Sequence, residues 1–202
     1  MNEAAAMFTA TDDEAGDTSA MAMELAILKE QLVRAERRVE ELTALADRDP
    51  LVGVLNRRAF TREAARAVAG RARHGHASVL VAVDIEGLGE INERYGKAAG
   101  DAALAQVGQT VSGHVRTTDA VGRLCEDEFA VLLAFANEDG AAAKMERLAG
   151  RIAREPVEVL GEKVPVRIRF AVAAVEGESG AEDQLALLSV KLHQSKAVAA
   201  SA

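Results

Sequence analysis

The chain has no tryptophan, and aromatic residues make up 3% of its 202 positions. Leu, Val, Ile and Ala must therefore fill the core, within an apolar fraction of 49%. The single cysteine, Cys125, excludes an internal disulfide and a cysteine-based zinc site. No apolar run approaches the roughly 18 residues needed to cross a bilayer, so no membrane span is expected. The N-terminus, Met1-Asn-Glu-Ala-Ala-Ala-Met7, lacks a basic stretch followed by an apolar one. No signal peptide is expected, and a cytoplasmic location is the default. Basic residues are in the minority: 24 Lys and Arg stand against 32 Asp and Glu, for a net charge of −8. Sequence-independent binding to a nucleic-acid polymer needs a basic surface that displaces counterions, so this balance argues against it. A small nucleotide is not excluded.

What is present suits one globular domain with an appendage. Met1 to about Ala20 is rich in Ala, Thr and Asp without periodicity, and reads as a disordered tail over residues 1–20. From Met21 the pattern changes. Leu25, Leu32, Val39 and Ala46 fall at a, and Met21, Leu28, Ala35 and Leu42 at d, of a heptad repeat. This predicts a coiled-coil helix over 21–48 and a homodimer through it, with Ala35 and Ala46 weakening the seam. An amphipathic helix packed on its own domain is the alternative. Asp49-Pro50 ends the pattern, because proline disfavours helix at the residue before it.

Beyond Pro50 the sequence predicts an α+β domain from 49 to 202, one mixed sheet covered by helices. Asn56 starts a helix, and Val79-Leu-Val-Ala-Val83 is a continuous apolar run suited to a strand buried on both faces. That strand ends on Asp84, a carboxylate where open sheets commonly place ligand sites. A short helix or turn over 85–95 and a helix over 98–115 follow. Ala120–Leu124 and Phe129–Leu133 flank the acidic turn Cys125-Glu-Asp-Glu128 and read as a β-hairpin. A helix over 141–154, strands over 156–160 and 164–175, and a closing helix over 181–199 complete the order. In the second of those strands Arg167 and Arg169 alternate with Val166, Ile168 and Phe170, giving it one polar face.

Three ordered blocks carry a resemblance. Asp49-Pro-Leu-Val-Gly-Val-Leu-Asn-Arg-Arg-Ala-Phe60, the run from Asp84-Ile-Glu to Gly100-Asp101, and Cys125-Glu-Asp-Glu-Phe129 resemble, in order and spacing, the conserved blocks of the GGDEF family of diguanylate cyclases. The resemblance covers Asp49 to about Lys196. It implies a palm-like mixed sheet like that of nucleotide cyclases and polymerases, and a dimer of domains that joins two GTP molecules into cyclic di-GMP.

That chemistry needs a divalent cation to neutralise triphosphate charge, and magnesium takes hard oxygen ligands. By resemblance, Mg²⁺ is the cofactor if GTP is bound or turned over, held by Asp84, the Ile85 carbonyl and Asp127. Asn92 and Asp101 match the guanine-binding positions, and Lys196 a phosphate-binding lysine. Glu128 matches the glutamate that helps activate the attacking hydroxyl. The departures lie in the same places. Cys125 and Glu126 replace two glycines of the signature loop, and Gly89 replaces a phosphate-contacting lysine. Lys97, Leu88, Ser189 and His193 also differ from the family pattern. Glu126 adds a charge beside a polyanion, a repulsion of about 4 kcal/mol at about 4 Å and an effective dielectric near 20.

A second site matches the family better. Arg116-Thr-Thr-Asp119 has the R-x-x-D inhibitory motif at the family's spacing, and Arg147 falls where a second arginine contacts the same cyclic di-GMP. Arginine offers a planar fork to phosphate oxygens, and a carboxylate can accept from guanine N–H groups. Three functions are open. The first is a non-catalytic cyclic di-GMP receptor in a coiled-coil dimer. The second is an active cyclase, and the third a protein-interaction module that binds no nucleotide.

Overall fold

The computed structural model describes residues 3–199, apart from the side chains of 3–20, 22, 40, 44, 45 and 195–199. It divides into two units, Met1–Ala46 and Asp47–Ala202. The first is helix α1 (Glu3–Ala46). Helix thus starts well before the heptads, where the sequence reading expects a disordered tail. Alanine, the strongest helix former, recurs there at Ala4, Ala5, Ala6, Ala10, Ala15 and Ala20. It extends a helix already nucleated further along. The heptad residues Met21, Leu25, Leu28, Leu32, Val39 and Leu42 are all exposed.

The second unit runs β1 (Leu55–Asn56), α2 (Arg57–His74), β2 (Ser78–Ile85), α3 (Leu88–Tyr95), α4 (Lys97–Ser112) and β3 (Ala120–Arg123). It continues with β4 (Glu128–Ala134), α5 (Glu138–Arg154), β5 (Val157–Val159), β6 (Glu162–Val164), β7 (Ile168–Ala174) and α6 (Ala181–Ala199). Five strands form one mixed sheet in the order β1-β3-β4-β2-β7, parallel at β1–β3 and antiparallel elsewhere. The α+β architecture read from the sequence stands. The polar tip of its acidic hairpin lies between β3 and β4.

Central β2 is buried along its whole length, as its continuous apolar run predicts. Val79, Val81, Val83 and Ile85 face a cluster with Leu104 and Val107 of α4 and Met145, Leu148 and Ile152 of α5. Leu80 and Ala82 face Phe60 and Ala64 of α2 and Leu185, Leu188 and Leu192 of α6. Asp84 continues this second row, so a carboxylate extends an apolar face beneath α6.

The expected strand over 164–175 is two strands. β6 pairs only with β5, Val157 opposite Val164, in a separate two-stranded sheet. Pro165, with no N–H to give a ladder, breaks the run. β7 then joins the main sheet beside β2, Arg169 opposite Asp84. Strand β1 is too short to leave a periodic signal.

Asn56 caps α2, its side chain accepting from the Ala59 N–H, and left-handed Gly75 (φ 69°) closes it. Arg62 and Arg58 both pair with Asp47. The Arg62 hydrogen bond above all, with Arg58, holds the Asp47 carboxyl below its ordinary range. Close packing of α2 on β3 depends on Gly122, where an added Cβ would lie 2.5 Å from the Phe60 Cβ. Overpacking of this kind costs about 1–3 kcal/mol. Gly122→Ala is therefore expected to lower unfolding free energy by that amount, measured by urea denaturation.

Candidate functional site

The acidic loop is a tight connection between β3 and β4, pinned from inside. Leu124 donates to the Glu128 carbonyl at 2.8 Å. The Arg123 guanidinium reaches forward to the Cys125 carbonyl at 3.1 Å and the Glu126 carbonyl at 2.6 Å, and back to Asp49 at 3.3 Å. Non-glycine residues at positive φ, among the described residues, are Phe135 and Leu160. The loop thus runs through Cys125 and Glu126 without the left-handed backbone that glycine makes easy. Burial pushes the Cys125 thiol up, more than the charges of Glu128 and Asp127 do. A thiol so placed is a poor nucleophile.

The structure brings Asp84, Ile85 and Asp127 together, the Ile85 N–H donating to the Asp127 carbonyl at 3.3 Å. Asp84 lies in register with Glu128 on one side and Arg169 on the other. Arg169 donates to the Asp84 carboxylate, and their side chains are 17% and 2% exposed. Glu128 is 4% exposed under α6, where its Oε2 accepts from the Ser189 hydroxyl at 2.8 Å. Its Oε1 is buried without a partner, as is Arg169 Nε.

The residues present do not fit Mg²⁺ at Asp84. A guanidinium already holds Oδ2 of this carboxylate, so a divalent cation would meet a fixed positive charge beside it. Among the described residues, no three His, Cys, Asp or Glu side chains gather into a metal-holding group. The pair of His74 and His76, with rings 5.3 Å apart, does not grow into one either.

The positions that the resemblance assigns to guanine sit on α3 and α4, joined at Gly96 (φ 84°). Asn92 presses on Gly100, where an added Cβ would fall 2.0 Å from Asn92 Oδ1. That oxygen is buried without a partner. Asp101 is paired with Lys97 at 3.6 Å, so a cation blunts the carboxylate offered to guanine. Gly89 faces open space where the family resemblance implies a lysine. The Lys196 side chain lies outside the described residues.

Elsewhere, the end of β4, the loop after α4 and one face of α5 enclose a cleft of about 1280 Å³. Arg116, Asp119, Lys144, Arg147, Arg151 and Phe135 line it. All three members of the expected second site therefore meet in one cavity, and its cations outnumber its acids. Asp119 is held closely: its side chain is 3% exposed, and it accepts from the Arg116 N–H at 2.9 Å and the Ala134 N–H at 3.1 Å. Its carboxylate therefore fixes the Arg116 backbone against β4. Arg116 and Arg147 are exposed, and their guanidinium groups have no hydrogen-bonding or ion-pair partner among the described residues. Phe135, 69% exposed at φ 53°, stands at the rim against His76.

Sequence reasoning missed Arg169, Arg123, Lys144 and Phe135. Arg169 had a signal, since it alternates with apolar residues in a strand. The register that aims it at Asp84 had none.

A family model, "Diguanylate cyclase, GGDEF domain", matches residues 46–197. Diguanylate cyclase DgcP of Pseudomonas aeruginosa is 31% identical over 134 residues, covering 66% of this chain and 20% of that protein. The chain spans about a fifth of the length of the curated relatives it matches first. A sensory box/GGDEF family protein from Caulobacter crescentus is 25% identical with a TM-score of 0.69, over 75% of this chain and 99% of that one. The coiled coil and GGDEF domain of DgcB from the same organism, in complex with c-di-GMP, has a TM-score of 0.76 at 18% identity, over 87% and 94%. With that match running from the end of α1 through nearly all of α6, the chain belongs to the GGDEF-domain family of diguanylate cyclases.

Proposed function

We propose that this chain is a non-catalytic cyclic di-GMP receptor, binding the dinucleotide in the Arg116–Arg147 cleft and pairing two copies through α1. One contrast carries the reading. The cleft's arginines are available to a ligand, while the metal carboxylate of the cyclase centre is already held by Arg169. Cyclases of this family are Mg²⁺-dependent. A buried Glu128 and a loop carrying Glu126 in place of bare backbone argue further against turnover. The GGDEF relatives solved with cyclic di-GMP, DgcB among them, add support by likeness.

The chemistry follows from the lining. A cyclic dinucleotide brings two phosphates and two guanines. Arg116 and Arg147 offer forked donors to phosphate oxygens and flat faces to the bases. Lys144 adds a point charge 3.9 Å from Asp119. The cleft exceeds the roughly 300–1,000 Å³ of most small-molecule pockets, as a ligand larger than a mononucleotide requires.

Titration calorimetry with cyclic di-GMP is expected to show binding by the full chain. A hydrogen bond to a charged group contributes about 1.5–3 kcal/mol. Arg116→Ala and Arg147→Ala should therefore each weaken binding roughly 10- to 100-fold, at about 1.4 kcal/mol per decade. Absence of heat, or full affinity in Arg116→Ala, overturns the receptor. Incubation with GTP and Mg²⁺ should yield no cyclic di-GMP by chromatography, and product formation overturns the non-catalytic part.

A further inference from the structure

We infer that Arg169 takes the place of the divalent cation in this domain. Its guanidinium is a cation built into the chain on Asp84, so the centre neither needs nor admits a metal ion there. The inference rests on the buried pair and on family membership, and it holds whether or not the other cleft binds cyclic di-GMP.

The placement follows from sheet geometry. β2 and β7 are antiparallel with Asp84 opposite Arg169, so both side chains project from the same face of adjacent strands. That face is the one covered by α2 and α6, where Ala82, Ala130, Leu185 and Leu188 precede the charged row. A carboxylate in such a place needs a counter-charge, since an isolated buried ion is strongly disfavoured. Two kinds of cation can supply it, a metal from solution or a side chain. Here a side chain does so, and two properties make it a persistent occupant. Arginine stays protonated at any ordinary pH, so the pair cannot open by proton loss. It is also tethered, so dilution does not remove it.

Entry of a metal would set two cations on one carboxylate unless the guanidinium left Oδ2. Arg169 would then be a charged group in a largely covered position, and its Nε already lacks a partner. Stranding one half of a buried pair is the costly outcome for such interactions. The neighbouring carboxylate, Glu128, is held through Oε2 by Ser189 of α6. Asp127, the other carboxylate of the implied set, lies half-buried on the loop with Cys125 Sγ 3.7 Å from its Oδ1. Within the row, Arg169 thus holds Asp84, and Ser189 holds Glu128.

Mn²⁺ is the probe, followed by the electron-spin resonance signal of the free ion in the presence of the full chain. The wild-type chain is expected to leave that signal unchanged, and its melting temperature should not move with Mg²⁺. A ligand bound only by the folded state would raise it. Arg169→Ser should bind Mn²⁺ at least roughly tenfold more tightly than wild type, a difference of about 1.4 kcal/mol. Adding Asp127→Asn to that variant should abolish the gain. Asp127-dependent Mn²⁺ binding by the wild type overturns the inference. So does an Arg169→Ser chain that folds, by circular dichroism, and binds no more metal than wild type. If Arg169→Ser does not fold, the wild-type arms still decide, since a Mg²⁺-dependent rise in melting temperature lost in Asp127→Asn overturns it alone. None of these readouts is turnover, so a chain inactive for other reasons gives a different result from one whose metal position is filled.

Discussion

Arg169→Ala is expected to destabilise the globular unit by about 3–5 kcal/mol, because removing one partner strands the other as an uncompensated buried charge. Urea denaturation followed by circular dichroism measures it. The stranded group is Asp84, 1% exposed and walled by the α2–α6 cluster. The size of the loss is not the intrinsic value of the ion pair. Asp84→Leu/Arg169→Met, which removes both charges and keeps volume, should recover most of the deficit, since such replacements are often neutral or stabilising. The exposed pair Arg34–Glu30 on α1, with both side chains more than half exposed, sets the scale at the other end. Its removal should cost under about 1 kcal/mol. If Arg169→Ala falls within that small range, Asp84 is already reached by solvent and the pair is not closed.

The Asp84–Arg169 pair leaves no signal in the sequence, although each of its residues is visible there. Asp84 was legible as a carboxylate ending a buried strand, because the apolar run 79–83 fixes both the strand and its polar terminus. Arg169 was legible only as a polar position in an alternating strand. Which face it served depended on the register of β7 against β2 and on the cover given by α6, and neither leaves a local pattern. The same limit applies to Ser189. By resemblance it is a departure on the last helix, and in the structure it is the donor that ties Glu128 down.

Local rules did better where the physics is local. Asn56 reads as a helix start and acts as one, because an N-cap needs only its next three residues. The hairpin around Glu126 reads from two apolar runs and a turn, and β3 and β4 pair across it. Residues 164–175 were misread as one strand because alternation continues across Pro165 while pairing does not. The second cleft was legible in part. Arg116, Asp119 and Arg147 came from motif and spacing, while the commitment of Asp119 to two backbone N–H groups required coordinates. The helix over 3–20 was missed because it has no apolar stripe, and alanine favours helix without one.

The proposed pairing of two chains through α1 leads to the other large effect. Leu28→Asp/Leu32→Asp is expected to turn a dimer into a monomer, measured by light scattering. Leu28 and Leu32 occupy successive d and a positions and are 54% and 58% exposed. In a parallel coiled coil, such residues insert between four residues of the facing helix. A buried leucine contributes roughly 1.5–3 kcal/mol. The double change removes four of them from a dimer, a loss of at least about 6 kcal/mol. That corresponds to more than roughly four decades in dissociation constant, before the repulsion of four carboxylates is counted. Ala35 and Ala46 leave the rest of the seam too weak to compensate. A parent chain already monomeric at the same concentration overturns the pairing. Because Arg116, Asp119 and Arg147 all belong to the globular unit, the monomeric variant should still bind cyclic di-GMP with its affinity unchanged. Loss of binding together with the dimer would mean that the cleft is completed by the second copy.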